Sequence, residues 1–186
     1  MKTHLSGTAK FALFFAVAFL ALQATPAAAA DSGSGTFVHT TKGEKPFSVT
    51  FKVVYAFRVE DTDKNKTQVT VVILSESPMD KKAMTAALKK ERDEMALNMD
   101  PNFAAYARIV INQKGEIGAY KFFSRRITES NPGGEGNAKV NTAKRVEGSF
   151  SSNYSGNNWG YQLDLRFATD LADVGPGAPV KIKSGL

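Results

Sequence analysis

The sequence predicts a mainly antiparallel α+β domain, with about six or seven strands arranged as hairpins around one packed helix near residues 80–97. Three observations support this fold class: runs of apolar residues with period two, short polar turns that join those runs in pairs, and one stretch of helical periodicity between the pairs. Strand pairs separated by one helix indicate segregated elements rather than βαβ units. The alternative is a two-sheet β-sandwich with a single helix.

The first thirty residues predict a secretory signal peptide. Lys2 and Lys10 supply positive charge, Phe11–Leu22 is an apolar run, and Ala28 and Ala30 suit cleavage near Ala30. A helical run of that length would rise about 18 Å, which is short of the ~30 Å hydrocarbon core. We therefore expect a periplasmic or secreted protein, with one globular β-rich domain over residues 31–186. The ends of this domain, residues 31–35 and 175–186, are predicted to be flexible.

Charge and cysteine content exclude several classes of site. Without Lys2 and Lys10, the predicted mature chain carries 22 basic and 18 acidic residues, no cysteine and one histidine, His39. Disulfides, thiol catalysis and zinc sites built from cysteine or several histidines are thereby excluded. No cofactor is predicted. The modest positive charge of an exported chain does not favour a nucleic-acid partner.

The first half of the domain contains the clearest strand pattern. Apolar side chains occupy every odd position of Phe47–Val59, which predicts one long strand with one buried face. A short strand over Phe37–Thr41 precedes it. The polar turn Asp61–Lys66 then leads to Gln68–Leu74, which is apolar on both faces and reads as the more central strand of a hairpin.

A single helix is predicted after this hairpin. Asp80 is a suitable N-cap, and Met84, Leu88 and Met95 form a modest apolar stripe at helical spacing. The helix is expected to extend to about Leu97, before Asp100 and Pro101 end it.

The second half of the domain predicts two further hairpins separated by a loop. Ala105–Asn112 pairs with Ile117–Phe123, and Lys144–Ser151 pairs with Trp159–Ala168. Between the hairpins, Ile127–Thr142 lacks periodicity and contains several glycines, so it is predicted to be a mobile or functional loop. In the C-terminal tail, Val180–Lys183 is either a short strand or a loose end.

No catalytic or metal site is predicted. His39 lies near the N-terminal edge of the domain, without a G-x-S-x-G turn to present a serine, so we interpret it as an edge histidine. Asp61, Asp63 and Asn65 resemble the start of a calcium loop, but Lys66 and Val72 occupy the positions that require glycine and glutamate. The acidic pairs of the chain fall in turns, on the solvent side of the helix or in the tail.

Basic residues on the predicted strands give a candidate anion-binding surface. If the strands adjoin in one sheet, these side chains would share its outer face and attract an anionic partner. The partner would be an anionic envelope polymer or another envelope protein. The candidate residues are Lys52, Arg58, Arg108, Lys121, Arg125, Arg126 and Arg166.

A second candidate surface is the turn of the last hairpin. Tyr154, Asn157 and Trp159 lie in a stretch rich in Ser, Gly and Asn, a composition that resembles recognition surfaces. Together these features favour a non-enzymatic envelope or secreted binding domain. One alternative is a cell-envelope hydrolase that uses carboxylates, which requires a cleft holding an acid of raised pKa. Another is a carrier of a small apolar ligand, which requires an internal cavity of about 300 Å³ or more.

Overall fold

The computed structural model describes residues 30–61, 67–80, 84, 104–131, 133–172 and 181–182, and these form two β-sheets packed face to face. Sheet A has five strands, in the spatial order β2, β1, β10, β9, β8. Its strands are β1 (Ser32–Thr41), β2 (Phe47–Phe51), β8 (Glu135–Asn141), β9 (Arg145–Ser155) and β10 (Trp159–Asp170). All neighbouring strands of this sheet are antiparallel.

Sheet B has six strands, in the order β11, β3, β4, β5, β6, β7. Its strands are β3 (Val53–Asp61), β4 (Thr67–Ser75), β5 (Tyr106–Ile111), β6 (Ile117–Phe123), β7 (Thr128–Asn131) and β11 (Lys181–Ile182). Only β11, which pairs with β3, is parallel to its neighbour among the described strands. The prediction of a mainly antiparallel β domain is confirmed, and the two sheets fit the sandwich-like alternative.

The main core lies between the two sheets. Phe37, Phe51 and Leu163 of sheet A meet Ile109 and Phe122 of sheet B in one buried apolar cluster. The rings of Phe37 and Phe122 stack with their centroids 3.7 Å apart. Because both sheets contribute to a single core, neither could bury its inner face without the other.

A second buried cluster covers the opposite face of sheet B. It contains Phe57, Val71 and Val110 from the sheet, together with Met79 and Met84 from the segment after β4. Burial on both faces from Val69 onward explains why Gln68–Leu74 carries apolar residues on both faces. The position of β4 between β3 and β5 confirms its prediction as a central strand. At the start of the predicted helix, the Met84 N–H donates to the Asp80 carbonyl at 2.9 Å. The rest of the predicted helix lies outside the described residues.

The predicted single strand over Phe47–Val59 is wrong, because the chain leaves sheet A at Lys52 and continues in sheet B. Phe51 faces the core between the sheets, but after the break Val54 faces that core and Tyr55 faces the second cluster. The alternation therefore slips by one residue at Lys52. Period two alone could not reveal this slip, since both faces of β3 are buried and apolar residues suit either side.

Two segments predicted to lack regular structure form strands. Ser32–Gly35, predicted as a flexible lead, pairs with β10 as the first half of β1. Ile127–Thr142, predicted as a loop, contains β7 and β8. Glycine in β8 permits close strand pairing rather than mobility, since a Cβ on Gly136 would collide with the Ser149 carbonyl oxygen.

The remaining hairpins follow the sequence pattern closely. β5 pairs with β6 as predicted, and the alternation of Leu163, Leu165 and Phe167 toward the core is confirmed. The third hairpin is longer than predicted, because β9 extends to Ser155 and leaves a turn of residues 156–158.

In the tail, β11 confirms the short-strand option for Val180–Lys183. Residues 62–66, most of the predicted polar turn, lie outside the described part of the chain.

Candidate ligand-recognition site

Four aromatic side chains meet at one end of the sandwich. His39 on β1, Tyr154 on β9, and Trp159 and Tyr161 on β10 lie on the inner face of sheet A, because Tyr161 pairs directly with both His39 and Tyr154. We call these four residues the aromatic ledge. The alternation that buries Leu163 in the core also directs Trp159 to this face, since the two are an even number of residues apart.

The rings of the aromatic ledge lie beside one another, and the measured ring pairs are stacked except Tyr154 and Trp159, whose planes are tilted by 37°. The Trp159 centroid lies 4.5 Å from that of Tyr154 and 5.8 Å from that of His39. Tyr161 is buried, but Trp159 is 40% exposed and Tyr154 is 43% exposed, and they are the exposed large hydrophobic residues of the described chain. Paired exposed aromatics are typical of recognition surfaces, where tyrosine and tryptophan are enriched.

The aromatic ledge is the outer end of a row of rings that begins in the core. Phe37 stacks on Phe122 inside the sandwich and lies 6.2 Å from Tyr161. Buried packing of this kind fixes ring positions before any ligand arrives. A ligand would therefore lose little affinity to ordering of the site.

A carboxylate and a hydroxyl adjoin the aromatic ledge. Glu129 on β7 brings its Oε1 within 3.9 Å of His39 Nε2. Burial raises the pKa of Glu129, and the nearby His39 offsets part of this effect. On the other side, Ser152 Oγ donates to the Gly133 carbonyl at 3.0 Å and lies 3.4 Å from the Tyr161 hydroxyl. Burial also raises the pKa of Tyr120, which lies beside Tyr161, so this phenol stays protonated.

A cavity of about 390 Å³ lies beside the turn between β9 and β10. We call it the turn cavity; its lining includes Thr40, Lys42, Asn157, Asn158, Trp159 and Gln162. The Lys42 N–H donates to the Asn158 carbonyl at 2.8 Å, which ties the end of β1 to the turn. Gly160 also lines the cavity, and a Cβ there would lie 2.7 Å from the Tyr154 carbonyl oxygen, so only glycine fits this approach.

A second cavity, of about 410 Å³, lies further along sheet A. Its lining includes Ser34, Ser149, Asp164 and Arg166, whose side chains project from the face of sheet A opposite the core. Both cavities are open at the surface and mostly polar, so they differ from the enclosed apolar cavity that a carrier requires.

The predicted basic residues do not share one face. Arg108 and Lys121 are opposite each other on β5 and β6 and leave sheet B on the side of the second cluster. Arg166 leaves sheet A on its outer side, and Lys52 lies at the break between β2 and β3. Arg58 faces the space between the sheets, where burial lowers its pKa and its Nη2 donates to the Thr142 carbonyl at 2.5 Å.

The turn that holds Arg125 and Arg126 reaches a strand next to the aromatic ledge. They are exposed in the turn between β6 and β7, and the Arg126 guanidinium lies over the Phe47 ring, 5.5 Å from its centroid. Phe47 pairs with His39, a member of the ledge. Of the candidate basic set, this pair is therefore the one that could add charge to a ligand bound at the ledge.

Sequence reasoning identified Tyr154, Asn157 and Trp159 but missed the other side of the site. The prediction of His39 as an edge histidine is wrong, because β1 lies between β2 and β10 and the side chain is only 14% exposed. Glu129 falls in the segment predicted as a loop, so its side chain could not be assigned to a face. The inward alternation of Phe37 and His39 on β1 was the one available signal.

In comparisons with known proteins, no family model, curated protein or solved structure matches the chain. Within the described residues, no group of three or more His, Cys, Asp or Glu side chains could hold a metal ion. None of the described helical structure is long and apolar enough to cross a membrane.

Proposed function

We propose that this protein is a non-enzymatic binding domain of the cell envelope or exterior, which recognises another macromolecule through the aromatic ledge and the adjoining turn. One observation carries the proposal: the rings of Tyr154 and Trp159 lie side by side with their centroids 4.5 Å apart, both are exposed, and both stack on the buried ring of Tyr161. Exposing two large rings forgoes burial that would otherwise stabilise the fold. Such a feature is typical of sites where a partner later covers the rings.

The proposed partner is an envelope polymer or another envelope protein. Export itself is a prediction from the N-terminal sequence. Because the basic residues are dispersed over both sheets, ring contacts are expected to supply most of the affinity, with charge secondary. Arg125 and Arg126 are placed to make the main charge contribution, since their turn flanks the ledge.

The proposal is tested by co-sedimentation of the purified protein with isolated cell walls and, separately, with envelope membranes, over a series of salt concentrations. We expect retention on one of the two, and about a tenfold or larger loss of affinity for Trp159→Ala, as for a central aromatic contact. Lys114→Ala, in the exposed turn between β5 and β6, is the control and should bind as the wild type does. Equal binding by both variants, or no retention at low salt, would overturn the proposal.

The carboxylate hydrolase remains a second candidate because of Glu129. Its partial burial and raised pKa are what a general acid requires, and it lies beside His39, which stacks on the exposed Trp159. The described part of the ledge supplies one carboxylate, whereas glycoside hydrolysis by the usual route uses two. Release of reducing sugar from cell walls, abolished by Glu129→Gln while retention persists, would favour this candidate over pure binding.

A further inference from the structure

The lining of the turn cavity indicates the chemistry of its ligand. Thr40, Asn157, Asn158 and Gln162 offer uncharged hydroxyl and amide groups, which both donate and accept hydrogen bonds. Lys42 is the one cationic side chain in the lining, and no carboxylate is among the lining residues. A volume of about 390 Å³ is within the range of small-ligand pockets. A cavity of this size and chemistry fits one or two units of a polyhydroxylated molecule.

The same chemistry continues across sheet A. The register directs alternate residues of β1, β9 and β10 away from the core. From the turn cavity to the second cavity most of these carry short hydroxyl or amide side chains, and Val38, Asp164 and Arg166 are the exceptions. We call this surface the polar outer face; it comprises Ser34, Thr36, Ser149, Ser151, Asn153 and Gln162. Asparagine is uncommon in strands, so strand propensity does not account for Asn153.

The charge and polarity of the polar outer face indicate which class of ligand could bind there. Asp164 and Glu135 offset Arg166 around the second cavity, and Gln162 Nε2 donates to Asp164 Oδ2 at 2.7 Å. A nucleic acid or anionic lipid surface would require a net positive face. A stable protein interface would require an apolar centre, whereas Val38, which lines the turn cavity, is the one large apolar residue that β1, β9 and β10 present on this face from one cavity to the other. A neutral polyhydroxylated chain requires neither a net positive face nor an apolar centre, so it is compatible with this surface.

We propose that the turn cavity binds a unit of a neutral glycan and that the glycan chain continues over the polar outer face toward Arg166. From Gly160 to Arg166 the strand β10 extends about 20 Å, which is long enough to contact several sugar units. Tyr154 and Trp159 give the cavity an aromatic rim on which the apolar face of a sugar ring can rest. This inference rests on the proposed function, because the turn that carries these two rings belongs to both sites.

The test is co-sedimentation of the purified protein with two insoluble neutral polysaccharides, cellulose and chitin, and with phosphatidylglycerol vesicles. We expect retention on at least one polysaccharide, changed less than twofold between low and high salt, because hydrogen bonds to neutral groups are not screened as charges are. Ser149→Arg places a long side chain on the polar outer face and should weaken retention at least tenfold. Ser130→Arg makes the same substitution on an exposed position of β7 in sheet B and should leave retention unchanged.

The outcomes separate this inference from the proposed function. Retention that is lost in Ser149→Arg but kept in Ser130→Arg supports the glycan site. Binding to vesicles alone, or retention that disappears at high salt, overturns it in favour of an anionic ligand. If isolated envelopes retain the protein through Trp159 while no polysaccharide does, the glycan site is wrong and the proposed function stands. Polysaccharide retention that Ser149→Arg leaves intact would remove the polar outer face from the site.

Discussion

At the scale of single residues, Glu129 couples the candidate site to pH. Its carboxyl has a raised pKa because burial disfavours the charged form, so the folded protein holds this proton more tightly than the unfolded chain does. The associated stability is fully present below the ordinary pKa of 4.5 and is lost as pH rises through the raised value. The ionised carboxylate is thus a cost to the fold at neutral pH, which His39 partly offsets.

Replacing Glu129 should therefore change the pH dependence of stability. We expect Glu129→Gln to have a higher free energy of unfolding than the wild type at pH 7, and the two to converge at pH 4, where the wild-type carboxyl is largely protonated. Urea denaturation between pH 4 and 7 measures this. Glu44→Gln, at an exposed glutamate in the turn between β1 and β2, is the matched control. A difference that stays constant across this range would contradict the assignment.

The same scale shows what residue patterns can and cannot predict. The exposure of Tyr154 and Trp159 was foreseeable, because they flank a turn of Gly and Asn that a core cannot accommodate. The approach of His39 to Glu129 was not, since it depends on β1 of one sheet meeting β7 of the other. No local signal reports a contact between residues ninety positions apart.

At the scale of elements, polar side chains join the two sheets near the end of β8. Thr70 Oγ1 on β4 donates to Asn141 Oδ1 at 2.9 Å, and Asn141 Nδ2 donates to the Asn112 carbonyl at 2.8 Å. Thr70 is fully buried, so its hydroxyl depends on this partner. One amide on sheet A therefore binds two segments of sheet B, beside the contact from Arg58 to the Thr142 carbonyl.

Removing this amide should destabilise the sandwich more than a typical surface change. For Asn141→Ala we expect a loss of about 2–3 kcal/mol, since two hydrogen bonds disappear and the Thr70 hydroxyl is left buried without a partner. Asn137→Ala removes an exposed amide from the same strand and should cost no more than about 0.5 kcal/mol. Chemical denaturation of both variants gives the comparison, and equal losses would show that the amide does not join the sheets.

Elements also mark where sequence reasoning met its limit. The hairpins β3–β4, β5–β6 and β9–β10 were predictable, because each pairs neighbouring runs across a short turn. The division of Phe47–Val59 between two sheets was not, because a strand buried on both faces conceals a slip in its alternation. β8 was hidden for a different reason: Gly136, needed for close pairing, and the glycines just before the strand are typical of a loop.

At the scale of the whole molecule, the positions of the charged side chains depend on which sheet each strand joins. The sequence pattern does not give that information, so it could not predict whether the basic residues share one surface. Successive residues of a strand point to opposite faces of its sheet, and the outer faces of the two sheets point away from each other. Arg166 and Lys121 consequently leave the molecule in different directions. The net charge of +6 belongs to the sequence as a whole and reports nothing about where a partner would meet it.

Local charge and net charge can be separated by moving the same reversal to two places. Arg125→Glu with Arg126→Glu changes the field beside the aromatic ledge, whereas Lys114→Glu with Lys144→Glu makes an equal change of net charge in other exposed turns. At low salt we expect the arginine pair to weaken retention on anionic cell walls about five-fold, and the lysine pair less than twofold, since screening confines the effect to nearby charges. The difference should fade toward 1 M salt, where the Debye length is about 3 Å. Equal weakening by the two variants would mean that attraction depends on the overall charge, and that the turn between β6 and β7 is not part of the binding site.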